Sequence, residues 1–243
     1  MNKTPITLNP IGIVHSPFHE KFGIPRQPGL VPEIKGSIEL LPPYNRADSV
    51  RGLESFSHIW VLFLFHKTAS AGWKPTVRPP RLGGKTRVGV FASRSNFRPN
   101  PIGQSVVALE HIDLSDNSVV LRIAGHDLLD QTPVIDIKPY LAYSDAIATS
   151  RDGYAQSAPS TLQISFSPEA AGQCEALSLS EYGNPMALIK ALLEQDPRPA
   201  FHKRKEKDRR YGMRLHDFDI LFKVSGSTLC VTDIRTTKNG DKR

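Results

Sequence analysis

Two arginines and an asparagine stand between prolines in the stretch GVFASRSNFRPNPIG, Gly89 to Gly103. Pro99 and Pro101 fix their own φ and push Arg98 and Asn100 out of the α region, so this backbone loses little freedom when a ligand arrives. Arg94 and Arg98 bring planar, permanently charged donor forks, and Asn100 offers both a donor and an acceptor. That set suits a carboxylate, a phosphate or a base edge. The bland reading is that both guanidinium groups merely close the loop, since charge-assisted bonds of about 1.5–3 kcal/mol serve structure as readily as ligands.

Two more segments carry chemistry. Strand alternation in TPVIDIKPY places Val134, Asp136 and Lys138 on one face and Ile135 and Ile137 on the other. The carboxylate and ammonium then form either a local ion pair on a solvated face or a polar cluster that orients Arg94 and Arg98. In HKRKEKDRR, His202 to Arg210, six Lys or Arg against one Glu and one Asp leave a formal +4. This is a candidate RNA footprint, or else a solvated charged loop. His58, His66 and His216 read as structural histidines. His216, Asp217 and Asp219 resemble a metal set, but a strand would place His216 on the face opposite Asp217 and Asp219, so no metal is expected.

The elements that must position these residues are mostly strands. From Asn9 to Phe166 the runs PIGIVHS, GSIEL, SHIWVLFLF, TRVGVFA, QSVVALEHID, NSVVLRIAGH, TPVIDIKPY and TLQISF are separated by Gly, Pro, Asn and Asp. Such spacing predicts an antiparallel sheet closed or nearly closed on itself. Ile59 to Phe65 shows no polar alternation and is expected to be covered on both faces. Trp73 to Arg81, rich in proline, is expected to wrap the surface as a loop. After residue 167 the pattern changes. PEAAGQCEALSLSEYG and NPMALIKALLEQD read as helices, the second with Asn184 as N-cap, Pro185 in its first turn and Leu188, Leu192 and Leu193 on one face. Met213–Val224 and Thr228–Ile234 read as a hairpin. The expected architecture is therefore mainly β: a β-barrel-like domain over 1–167 and a small α+β domain over 168–243.

With 243 residues, 39% of them hydrophobic and 23% charged, the chain fits an ordinary globular protein. It shows no apolar run of membrane-spanning length and no signal-peptide pattern, and a cytoplasmic address is expected. Cys174 and Cys230 lack CxxC spacing, which argues against structural zinc and against a disulfide framework. A net charge of +7 favours a polyanionic partner. No GxGxxG follows a strand, so any nucleotide-like cofactor sits outside the doubly wound manner, and the barrel itself must form the pocket.

GVFASRSNFRPN resembles the fingerprint of the TsaA-like (TrmO) family, tRNA methyltransferases that use S-adenosylmethionine to methylate N6 of threonylcarbamoyl-adenosine beside the anticodon. EKFGIPRQPGL, RGLESFSHIWVLFLFH, WKPTVRPPRLGG, DIKPYL, RDGYAQSAP, DPRPAF and LHDF are similar to family motifs in family order, so the resemblance covers nearly the whole chain. It implies a cofactor site built from Pro25, Arg26, Gln27, His66, Lys67, Arg94, Gln104, Ala124, Gly125, His126 and Asp127. In that site Arg26 would meet the methionine carboxylate and Gln27 the adenine edge. Lys67 and His126 stand where the family has uncharged residues, so contacts there are expected through the main chain. Arg94, Arg98, Asn100 and Asp136 are the expected catalytic cluster, and Arg198, Lys203, Arg204, Lys205 and Lys207 the expected tRNA contacts. Phe201 replaces the family's tyrosine, leaving base stacking but no hydroxyl. Asp127, Asp136 and Asp196 are alternative proton acceptors. The resemblance also implies a homodimer. The competing reading is a non-catalytic RNA-binding barrel without a small cofactor.

Overall fold

A computed structural model describes residues 6–177, 184–199 and 209–236. Along the chain come β1 (Gly12–His15), β2 (Lys35–Leu40), β3 (His58–Leu64), β4 (Thr76–Val77), β5 (Val88–Gly89), β6 (Ile102–Ser115), β7 (Ser118–Ala124), β8 (Pro133–Pro139), helix α1 (Ala142–Asp145), β9 (Gln163–Phe166), helices α2 (Pro168–Glu175) and α3 (Pro185–Glu194), then β10 (Arg210–Leu215), β11 (Phe218–Ser225) and β12 (Thr228–Thr236). Strands β1-β2-β7-β6-β3-β8 close into a barrel in which every neighbouring pair is antiparallel. The barrel core is built from alternate residues such as Val14, Ile38, Val61, Val107, Leu121 and Val134.

β3 corrects one expectation. Ile59, Val61 and Phe63 are buried, whereas Trp60, Leu62 and Leu64 are only partly covered. An apolar run can thus hide a period-2 strand when the residues on its outer face serve a cavity. Another correction concerns Arg87–Ala92, expected as one strand. Only Val88–Gly89 is extended, and it pairs with β4 in a separate ribbon, not with the barrel. Val90 to Ala92 turn instead, because the Ser93 amide and hydroxyl both donate to the Val90 carbonyl (3.2 and 2.8 Å), a local bond that competes with a ladder.

In β8 a bulge opposite Leu62/Phe63 pairs Phe63 with Val134 but Leu62 with Asp136 and Val61 with Ile137. The extra residue breaks strict alternation. Val134 is therefore buried in the core cluster with Ile137 packed against it, and Val134 does not share its face with Asp136 and Lys138 as expected.

The strand expected at 161–166 forms, as β9, but it pairs in parallel with β12 in the four-stranded sheet β10-β11-β12-β9. It therefore lies with the appendix, not with the barrel. The single strand expected over 213–224 is divided at His216–Asp217, where His216 takes φ +50 and turns β10 into β11. Asp217 is thus a turn residue. Helix α3 begins as its sequence requires: Asn184 Oδ1 accepts from the Met186 and Ala187 amides at 3.0 and 3.3 Å, with Pro185 in the first turn. Leu188, Ile189, Leu192 and Leu193 bury one face, each contributing about 1.5–3 kcal/mol of transfer free energy. Cys174 and Cys230 are free. Among the described residues no helix is long and apolar enough to cross a membrane.

The core under the four-stranded sheet is not made by the appendix alone. Phe18, Val31 and Ile34, from the segment joining β1 to β2, are buried in it beside α2, α3 and β10–β12. Ile24 and Leu30 pack against the same cluster. The segment that carries Pro25, Arg26 and Gln27 is therefore pinned on both sides by the second sheet.

Candidate functional site

A cavity of about 660 Å³ opens at the end of the β3–β6 ladder. Its apolar floor comes from outward-facing residues opposite one another in register, Trp60 with Val106 and Leu64 with Ile102. Inward-facing Phe63 and Ser105 reach it at the barrel rim. Gly103 makes this possible, because a Cβ there would lie 2.3 Å from the Phe63 ring. One wall is the Pro25–Pro28 loop and the opposite wall is Ser93–Asn96 with Arg98. Arg94 Nη1 donates to Gln27 Oε1 and ties the walls together.

Lys21, Arg26, Lys67, Arg94 and Arg98 border the cavity, against Asp127 as the one carboxylate among the described residues that line it. Burial raises the Asp127 carboxyl pKa, while the Ser105 hydroxyl, donating to Oδ1 at 2.6 Å, and the nearby Arg94 charge pull it back. His66 is held neutral more strongly than usual by burial and by the Lys67 charge. Its Nε2 is buried and has no hydrogen-bond partner among the described residues.

Of the expected site residues, Pro25, Arg26, Gln27, His66, Lys67, Arg94, Arg98, Gln104 and Asp127 all line this cavity. Arg26 also spans to the appendix, with Nη2 donating to the carbonyls of Arg198 (3.1 Å) and Asp196 (3.4 Å). Arg98 serves the bland role as well: Nη1 donates to the carbonyls of Ser93 (2.8 Å) and Val90 (3.3 Å) and clamps its own loop.

Ala124, Gly125 and His126 lie outside the lining. Ala124 is paired in the barrel, opposite Lys35 and Ala108. The Gly125 amide donates to Ile34 O (2.8 Å) and its carbonyl accepts from Gly29 N (2.7 Å), so its main chain is already engaged. His126 is fully buried, and desolvation lowers its pKa to about 4.

Asn100 is exposed beyond the cavity. Asp136 forms the local ion pair, 2.8 Å from Lys138 Nζ, and accepts from the Ile137 amide at 3.0 Å; it does not orient the arginines. Arg198 is committed to a bidentate pair with Asp196, Nε to Oδ1 at 2.7 Å and Nη2 to Oδ2 at 3.0 Å, with its side chain 13% exposed. Lys203, Arg204, Lys205 and Lys207 fall outside the described residues.

Trp60, Leu64 and Val106 were not among the expected site residues, and neither was Ser105. Reading β3 as covered on both faces concealed the first two. Nothing in the sequence around Ser105 signals its bond to Asp127, which depends on the Val61–Ser105 register.

A closed antiparallel barrel with one cation-rimmed, apolar-floored cavity at its rim is a small-ligand-binding barrel, and its size falls within the usual range for such sites. The family model of the tRNA-methyltransferase O N-terminal domain matches residues 13–146, and that of the TrmO C-terminal domain matches 159–237. The chain belongs to the tRNA-methyltransferase O family. It is 50% identical over 216 residues, 88% of this chain and 92% of the relative, to the Escherichia coli (strain K12) protein named tRNA (adenine(37)-N6)-methyltransferase. It is 48% identical over 219 residues, 88% and 90% of the two chains, to a Pseudomonas aeruginosa (strain PAO1) protein named "Putative S-adenosylmethionine-dependent methyltransferase RcsF". A crystal structure of TrmO from Pseudomonas aeruginosa superposes with a TM-score of 0.80 at 40% identity, covering 96% of this chain and 99% of that one.

Proposed function

We propose that this chain is an S-adenosylmethionine-dependent methyltransferase acting on N6 of the adenosine at position 37 of tRNA, with the threonylcarbamoyl-modified base as acceptor. What carries the reading is the single cavity in which the Pro25–Gln27 loop, Arg94, Gln104 and Asp127 meet, all from segments that match the family. Its residues fit the cofactor. Five cations rim it for a carboxylate, Trp60, Leu64 and Val106 give an apolar bed for a purine, and His66 Nε2 is a buried polar atom that lacks a partner among the described residues.

When bound, the cofactor supplies an electrophilic methyl group on a sulfonium. The chain's own task is alignment, because holding acceptor and donor in line supplies much of the acceleration by proximity. Arg26, Gln27 and Arg94 hold the donor side of the cavity. Asp127, the one carboxylate of the three candidates that lines the cavity, takes the N6 proton, with Ser105 orienting Oδ1. Arg98 keeps the loop closed. Asp136, Asn100 and Ala124 to His126 stand outside the cavity.

The enzyme works as a homodimer in the cytoplasm. The barrel part of the chain holds the cofactor, and the appendix, which takes in β9, approaches tRNA through Lys203, Arg204, Lys205, Lys207 and the Arg198 segment. The non-catalytic RNA-binding barrel is disfavoured because it leaves the cation-rimmed cavity without an occupant.

Calorimetric titration with S-adenosylmethionine separates the two readings: the enzyme binds it at one site per chain, and a pure RNA-binding module binds none. Methyl transfer to total tRNA followed by nucleoside mass spectrometry then tests the acceptor. A digest lacking methylated threonylcarbamoyl-adenosine rejects the substrate assignment.

A further inference from the structure

Between Glu54 and Glu110 the sequence contains no Asp or Glu, while Lys67, Lys74, Arg78, Arg81, Lys85, Arg87, Arg94 and Arg98 place a formal +8 there, more than the +7 of the entire chain. These eight lie in the connection between β3 and β6, which holds little regular structure beyond the β4–β5 ribbon and three single turns. Long connections of this kind inside a compact barrel usually serve function.

The distribution of ion pairs sharpens the point. Elsewhere Lys35, Arg51, Arg122, Lys138, Arg198 and Arg235 each sit on a carboxylate. Among the described residues none of the eight in this lobe does. Their hydrogen bonds go to neutral acceptors: Arg81 to Ser157 O, Arg87 to Thr76 Oγ1 (2.9 Å), Arg94 to Gln27, and Arg98 to main-chain carbonyls. The segment 151–157 packed against the lobe adds one Arg and one Asp and no net charge. Gathering like charges in this way costs self-repulsion that a polyanion would relieve.

Aromatic surface accompanies the charge. Trp73 is 56% exposed and Phe91 is 76% exposed. The backbone beside each is tied down within the lobe: the Lys74 amide donates to Phe97 O at 3.1 Å and the Val90 amide to Pro75 O at 3.0 Å. Arg78 follows Val77 and Arg87 precedes Val88, the paired residues at one end of the ribbon, so the two cations adjoin in register. Lys67, Arg94 and Arg98 continue the basic lining into the cavity itself.

We infer that the lobe formed by residues 67–98 is an RNA-docking face, on which the phosphates of the unpaired anticodon loop meet Arg78, Arg81, Lys85 and Arg87 while loop bases stack on Trp73 and Phe91 beside the cavity. The inference rests on the reading of this chain as a tRNA-acting methyltransferase. It adds a footprint on the barrel, separate from the basic segment at 203–207. Phosphate contacts of this type locate the substrate without reading sequence, leaving base choice to the cavity.

The test uses the full chain and an anticodon stem-loop RNA, with binding followed by fluorescence anisotropy between about 50 and about 200 mM salt. The triple variant Arg78→Gln, Lys85→Gln, Arg87→Gln makes the slope of log Kd against log salt shallower by about 2 to 3, and S-adenosylmethionine binding is retained as the check on folding. Trp73→Ala weakens RNA binding at least about fivefold and leaves the salt slope as it was. Arg46→Gln with Arg51→Gln, removing exposed cations away from the lobe, leaves both quantities unchanged.

An unchanged slope in the triple variant overturns the inference, and so does an equal loss per charge in the Arg46 and Arg51 control. A change of sedimentation state in the triple variant at an unchanged slope marks the lobe as a contact between copies and also overturns it. If the unsubstituted chain itself binds no RNA, the methyltransferase reading fails first, and the two failures stay distinct.

Discussion

Lowering the pH should strip stability from this protein through one buried ring. His126 is fully buried, its ring edge-on to Phe18 at 5.9 Å, and it lies against Gly36, where even a Cβ would come within 2.5 Å of Nε2. Its two contacts fix the neutral tautomer. Nε2–H donates to the Lys35 carbonyl at 3.3 Å, and Nδ1 accepts from the Leu128 amide at 3.3 Å. A second proton on Nδ1 would face that N–H. Desolvation accordingly lowers the pKa from 6.5 to about 4.

The unfolded chain then binds the proton more readily than the folded one between about pH 6.5 and about pH 4, so stability falls as pH drops through that window. The full displacement is about two and a half pH units, and at about 1.36 kcal/mol per unit it is worth about 3 kcal/mol, of which about 2 is lost between pH 7 and about pH 4.5. Urea unfolding of the parent and of His126→Asn at both pH values isolates the ring, since contributions from all other groups cancel in the comparison. Asn keeps an acceptor for Leu128 and cannot titrate. The parent should lose about 2 kcal/mol more than the variant. Equal losses, within about 0.5 kcal/mol, would refute a dry, neutral His126.

Asp127→Asn should lower kcat for methyl transfer by about a hundredfold or more with the Kd for S-adenosylmethionine little changed, and the acid limb of the pH–rate profile, which lies above the ordinary carboxylate range, should vanish with it. Gly103→Ala should cost about 1–3 kcal/mol in thermal or urea unfolding, because the new methyl meets the Phe63 ring; adding Phe63→Leu should recover part of it. Arg26→Ala should weaken S-adenosylmethionine binding about tenfold in calorimetry, and Arg26→Lys should restore little, since an ammonium cannot keep one nitrogen on the Asp196 and Arg198 carbonyls while presenting others in a planar fork to a carboxylate.

The barrel was legible because turn chemistry and short β-rich runs constrain an antiparallel sheet, and α3 because Asn184-Pro185 marks its start unambiguously. What escaped was set by partners remote in sequence. TLQISF has the composition of any barrel strand, and only its register with β12 assigns it to the other sheet. The bulge in β8 leaves no mark in TPVIDIKPY, yet it decides that Asp136 meets Lys138 and not the arginines. At the site, Pro25 to Gln27, His66, Lys67, Arg94, Gln104 and Asp127 converge on one cavity while Ala124 to His126, Asn100 and Asp136 stay outside it, and its apolar floor depends on which face of β3 turns outward. Counting basic residues drew attention to HKRKEKDRR. The absence of acidic residues over 55–109, a subtler signal, was equally present in the sequence.

Because Phe18, Val31 and Ile34 are embedded in the core beneath the four-stranded sheet, the loop from Pro25 to Pro28 hangs between two anchors that the barrel does not own. Its stiffness is borrowed. Any force that shifts the appendix, including the grip of a large polyanion, is transmitted straight to the rim where the small ligand rests, so the two halves of the molecule cannot adjust to their ligands independently.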